Sequence, residues 1–86
     1  MPANPTKPPT VRLRRLAYQL REIRTKAELT REVVEAQTGI NPGTLYRIES
    51  ARSRPQKRTL LSLLNLYKVP DDVRANLLDL YKHANG

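Results

Sequence analysis

Between Thr44 and Arg58 the chain gathers side chains that can grip an anion and read a polar edge. Arg47, Arg52, Arg54 and Arg58 are planar guanidinium forks, all donor and no acceptor. Lys57 adds a point charge, and Thr44 and Tyr46 place hydroxyls beside Arg47. A fork of this kind matches phosphate oxygens, or two acceptors on one base edge, so the chemistry on offer is recognition of a polyanion. The residues that make and break bonds are missing. The chain has no Cys and a single His, and its acidic residues fall mostly at helix starts or within reach of Arg. Disulfides and thiolate metal sites are excluded, and a lone His83 is a poor metal ligand. It most simply meets the negative end of the last helix dipole. No catalytic constellation, metal site or cofactor is expected, and the chain reads as a non-enzyme.

Composition narrows the polyanion. With 86 residues the chain is one domain, and its net charge of +8 draws it to polyanions at neutral pH. Charge alone also fits a merely soluble basic protein. The aromatics are four Tyr, with no Phe or Trp, a thin supply for stacking on unpaired bases. That argues against single-stranded nucleic acid and RNA. No apolar run approaches the ~18 residues of a membrane span, and the Pro-rich start lacks the apolar stretch of a signal peptide. The expected location is the cytoplasm, with no membrane partner.

The elements that must position these residues follow from caps and periodicity. Thr30 can cap a helix over about 30–38, with Val33, Val34 and Ala36 as its apolar positions. Gly39 breaks it, since glycine turns left-handed without steric cost. Asn41-Pro42 opens the next helix, about 42–50, with the preferred N-cap and first-turn residues. Leu45 and Ile48 face inward at i, i+3, leaving Thr44, Tyr46 and Arg47 on or near the other side. Helix, glycine turn and second helix with basic residues outward is the layout of a helix-turn-helix. It predicts binding of duplex DNA with the helix that starts at Asn41 in the major groove.

The flanking stretches support that pair. Residues 1–9 hold four of the seven prolines and no core candidate, and read as a flexible arm. Lys7 there either reaches along a DNA backbone or belongs to an unstructured leader. Thr10 can cap a first helix over about 11–26, with Leu13, Ala17 and Leu20 on its stripe, Leu16 and Ile23 beside them, and Arg12, Arg14, Arg15 and Arg21 outside. Arg24 continues the stripe one step further, so it points inward and needs a partner. Glu49, four residues after Leu45, mirrors it. The two suggest a buried ion pair, the alternative being that both snorkel to the surface. Arg52, Arg54, Lys57 and Arg58 then form a basic loop placed for phosphates, or an ordinary solvated run.

Two more helices close the chain. The fourth, about 56–68, puts Leu60, Leu61, Leu64 and Tyr67 on one face with Leu63 flanking, and Val69-Pro70 ends it. The fifth, about 71–84, carries Val73, Leu77, Leu80, Tyr81 and Ala84 on its stripe, with Asp71 or Asp72 as cap. Leu66 and Leu78 fit neither stripe. They read as an exposed patch, for a homodimer or for contact with a region outside this sequence, although single exposed leucines are normal. The fold class is all-α, a compact five-helix bundle.

The stretch ELTREVVEAQTGINPGTLYRIESARSRP, preceded by LREIR, resembles the Cro/C1-type helix-turn-helix regulators, the XRE family, over about residues 11–70. The run IESARSRP with a Leu-rich helix ending LYKVP is similar to actinobacterial members. The resemblance implies a lambda-repressor-like bundle and a sequence-specific, bacterial, nucleoid-associated transcriptional regulator. In such proteins this domain usually precedes a larger C-terminal domain, which is then an alternative seat for dimerisation. The resemblance places Arg24 and Glu49 at an interhelical ion pair, and Pro42, Gly43, Thr44, Tyr46 and Arg47 at base-reading positions. It places Thr30 and Arg31 at a phosphate position where Gln is commoner than Arg. Asn41, Arg52, Arg54 and Arg58 complete the expected phosphate anchors. Glu28 stands where the family usually has Gly, and Glu35 where it prefers a small residue. The rival reading is a protein-interaction module on the same scaffold, antitoxin-like or binding a regulator's partner.

Overall fold

Three hydroxyl or amide side chains decide where the first three helices begin. In the computed structural model, which describes residues 10–84, Thr10 Oγ1 accepts from Leu13 N at 3.1 Å and starts α1 (Val11–Lys26). Thr30 Oγ1 does the same for Val33 N at 3.1 Å and starts α2 (Arg31–Thr38). Asn41 Oδ1 accepts from Gly43 N at 2.7 Å and starts α3 (Pro42–Glu49). Each cap satisfies a backbone donor that the first turn leaves free. The remaining helices, α4 (Lys57–Tyr67) and α5 (Asp71–Lys82), have no side-chain cap. The sequence suggested Asp71 or Asp72 as the α5 cap. The cap position is Pro70, and both aspartates lie in the first turn, where their charge still meets the positive helix end. The expected arm, residues 1–9 with Lys7, lies outside the described residues.

Left-handed residues end four of the helices or follow them closely. Gly39 (φ 81°) closes α2 and donates to Glu35 O at 2.7 Å. Glu28 (φ 58°), Ala51 (φ 59°) and Lys68 (φ 52°) take the same region without being glycine. At Glu28, where the resemblance implied glycine, the backbone takes the conformation glycine favours, at a cost of roughly 1 kcal/mol.

The core unites all five helices. Leu16 and Leu20 of α1, Val34 of α2, Leu45 and Ile48 of α3, Leu60, Leu63 and Leu64 of α4, and Leu77 and Leu80 of α5 form one buried cluster. Leu13, Ala17, Ala51 and Ala84 form a second, smaller one. Several sequence expectations change here. Leu63 is fully buried, not flanking, and Leu61 sits half-buried outside the cluster. Only Val34 of the α2 candidates is inside, with Val33 and Ala36 exposed. Leu66 and Leu78 are half-buried and packed against the main cluster, so the predicted exposed patch does not exist as such. Among the described residues no helix is long and apolar enough to cross a membrane.

Candidate nucleic-acid interface

The short helix α3 has two distinct faces. Leu45, Ile48 and Glu49 turn inward. Asn41, Gly43, Tyr46, Arg47 and Ser50 are exposed, with Pro42 and Thr44 half-exposed between them. The turn that sets its angle against α2 is only Gly39, Ile40 and Asn41, and half-buried Ile40 packs on the core. Gly43 lies close under the cap. A Cβ there would lie 3.0 Å from Asn41 Oδ1, the atom already bound to the Gly43 N–H. The first turn therefore presents bare backbone outward. One turn later, Arg47 Nη2 donates to Thr44 Oγ1 at 3.2 Å, laying the guanidinium along the outer face. Glu35, where a small residue was expected, is exposed on α2 and its carboxylate meets solvent.

A buried carboxylate fixes α3 to the rest of the bundle. Arg24 donates to Glu49 from Nε (2.7 Å to Oε2) and Nη2 (3.1 Å to Oε1), and from Nη1 to the Leu29 carbonyl at 2.7 Å. The Glu49 side chain is only 1 % exposed. The hydrogen bond to Glu49 raises the Arg24 pKa, against the opposing effect of burial. The inward pair read from the two stripes is therefore present, but it is not a pair alone. Arg31 also reaches Glu49 Oε1, from Nε at 3.1 Å and from Nη2 at 3.0 Å. Arg31 was expected to hold a phosphate; its guanidinium is instead engaged with a buried carboxylate. The same group lies 5.3 Å from the Tyr46 ring centre, and Arg52 lies 6.0 Å from it. Tyr46 thus stands out from α3 between two cations, each contact contributing about 0.5–1 kcal/mol at an exposed site.

Beside this network Tyr67 hides its hydroxyl without a hydrogen-bond partner. Burial first, and the nearby Glu49 charge second, push its pKa up well beyond the usual phenol value, while Arg24 pulls the other way.

The chain matches the family described as helix-turn-helix domain over residues 15–77, from the first turns of α1 into α5. It belongs to the helix-turn-helix domain family. Neither a curated protein nor a solved structure matches it significantly. In this helix-turn-helix domain α2 and α3 are the motif helices, and membership implies DNA binding. The family is typically non-enzymatic.

The remaining arginines of the helix-turn-helix domain divide by role. Arg52 follows α3 directly, is exposed, and makes no side-chain hydrogen bond among the described residues beyond its approach to Tyr46. Arg58 is exposed and shares an open groove of about 400 Å³ with Asn41, Thr44, Thr59 and Ser62. Arg54 departs from the phosphate expectation. It donates from Nε to Ala84 O at 2.8 Å and from Nη2 to Tyr81 O at 3.0 Å, and its Cζ stacks 4.0 Å above the Tyr81 ring. Arg54 thus ties the chain end after α5 to the loop before α4, satisfying the Ala84 carbonyl and adding a second donor to the Tyr81 carbonyl, which already accepts from Ala84 N. Thr30 and Asn41 spend their side-chain oxygens as caps. Arg21 is the residue the sequence reading passed over. It lines a hollow of about 120 Å³ with Arg31, Tyr46, Glu49 and Ser50. The available signal was its place one turn before Arg24 on α1, on the edge that turns toward α3.

Proposed function

We propose that this domain is a sequence-specific, double-stranded DNA-binding transcriptional regulator of the Cro/C1 type, reading the major groove with α3. The observation that carries the reading is the outer face of α3. It holds no carboxylate, because its one acid is turned inward, and it aligns Gly43, Thr44, Tyr46 and Arg47 beside the exposed arginines 52 and 58. Arg47 is the side chain for bidentate contact to a guanine. Thr44 and Tyr46 contribute further contacts to bases or sugar-phosphate. Pro42 and Gly43 permit close backbone approach and apolar contact with a thymine methyl. Arg52, Arg58 and Arg21 are the cationic phosphate anchors, with Thr30 and the Asn41 amide N–H groups as neutral ones. Arg31 acts on DNA through Tyr46, whose ring it backs. Work of this kind belongs in the bacterial cytoplasm, at the nucleoid.

Selection of bound duplexes from a random pool tests the reading, followed by titration of the winner. Three phosphates neutralised by Arg21, Arg52 and Arg58 give log K a slope of about −3 against log salt. Arg47→Ala should cost on the order of 1–3 kcal/mol and relax preference at one base pair. An unchanged consensus and affinity in Arg47→Ala would remove α3 from the groove. A two-fold symmetric consensus with half-sites about one DNA turn (~34 Å) apart would add that two copies bind together.

A further inference from the structure

On another part of the surface, an open groove of about 480 Å³ runs between the start of α4 and the second half of α5. Arg54, Lys57, Leu78, Tyr81 and Lys82 line it, and no residue of α3 does. Its floor and its rim differ in chemistry. Leu78 and Tyr81 are half-buried, packing their inner sides on the core and leaving apolar surface toward the groove. Around them stand three cations and no carboxylate. Arg54 is immobilised by the Tyr81 and Ala84 carbonyls, the Tyr81 hydroxyl at 3.3 Å and the Tyr81 ring, all uncharged partners. Its position is fixed and its charge is not neutralised. Lys57 and Lys82 are exposed, and among the described residues neither has an ion-pair partner. The nearest acid along α5, Asp79, lies 3.5 Å from His83 and is not part of the lining.

Charge complementarity selects the occupant. A bare phosphate backbone would meet the cations but gain nothing from Leu78 and the Tyr81 ring. An open groove covers one side of a peptide segment and leaves the other in water, whereas small-molecule sites bury most of their ligand. We propose that this groove docks an acidic amphipathic segment of a partner protein. An apolar side chain of the segment lies on Leu78 and Tyr81, and flanking carboxylates meet Arg54, Lys57 and Lys82. With Nε and Nη2 given to carbonyls and Nη1 to the Tyr81 hydroxyl, Arg54 offers a carboxylate a fixed positive charge, with little side-chain freedom left to be lost. The partner therefore binds beside the nucleic-acid face and leaves α3 open.

The test uses the full 86-residue chain and a synthetic helical peptide in which Leu and Phe alternate with Glu and Asp at i, i+3, i+4 spacing. Binding is followed by NMR shift perturbation. The expected result is saturable binding with the largest shifts at Leu78, Tyr81 and Lys82. The exposed double variant Lys57→Gln/Lys82→Gln should keep its melting temperature and weaken the peptide about fivefold. A peptide of equal charge with Ser in place of Leu and Phe should bind at least fivefold more weakly. Equal binding of that control would reduce the groove to a charge patch and overturn the proposal, as would absence of binding or shifts centred on α3. A duplex-binding salt slope lowered by one or two in the double variant would assign the lysines to phosphates, with the same consequence.

Discussion

The two halves of this bundle are held by different physics. Helices α1 to α3 each begin with a side-chain cap and meet around one buried carboxylate that serves Arg24 and Arg31. Helices α4 and α5 have no side-chain caps and are held largely by leucines: Leu60, Leu63, Leu64, Leu77 and Leu80. Burial of leucine is strong, about 1.5–3 kcal/mol each, but it has no preferred direction. A two-point contact from Arg24 to Glu49 fixes both distance and angle. The directional interactions thus gather where α3 has to be aimed, and the non-directional ones where the domain only has to stay folded.

Perturbing one half at a time tests that division. Arg24→Ala has the largest expected effect. It leaves Glu49 buried with only the half-exposed Arg31, and should cost about 3–5 kcal/mol in denaturant unfolding. A loss under about half a kcal/mol would mean that water already reaches the pair. Arg31→Ala is milder, about 1 kcal/mol, because Arg24 still neutralises Glu49 and Arg31 is partly in water. Its distinctive readout is freedom of the Tyr46 ring, seen as altered ring shifts in NMR. On the other side, giving α4 the cap it lacks with Gln56→Asp should raise stability by about 0.5–1 kcal/mol. Tyr67→Phe removes an unpaired buried hydroxyl and should leave stability unchanged or slightly higher at neutral pH. Its effect emerges in alkali. The unfolded chain ionises this phenol near pH ~10 while the folded one resists. Its contribution to stability is therefore complete below that pH and is lost as pH rises toward the folded pKa. In Tyr67→Phe that loss should vanish from the melting temperature measured against pH.

What the sequence disclosed and what it concealed follow the same division. Gly39, Asn41-Pro42, Thr10 and Thr30 were legible because each acts on its own turn of backbone. Arg24 was legible because a charge on an apolar stripe demands a partner. The second partner of Glu49 was not, since Arg31 lies 18 residues away and its position looks exposed on its own short helix. Arg54 gave the same trouble. Read locally it belongs to a basic run, and its acceptors at Tyr81 and Ala84 are 27 and 30 residues further on. Leu63, Leu66 and Leu78 were misjudged because a leucine-rich helix has no sharp edge to its apolar face, and the neighbouring helix decides which leucines are covered. The outward residues of α3 remain the least informative in sequence, because polar side chains turned to solvent carry no packing constraint.

The Asn41 amide and the bare carbon of Gly43 share a tight space at the start of α3. A side chain at position 43 brings its Cβ to 3.0 Å from the oxygen that starts the helix, so it fits only where the Asn41 amide gives by a few tenths of an ångström. Pro42 suits its place as the first helical residue, where its missing N–H would be unpaired anyway. Substitution on the outer face of α3 leaves the helix start untouched at Tyr46 and Arg47, which are exposed and take no part in the cap.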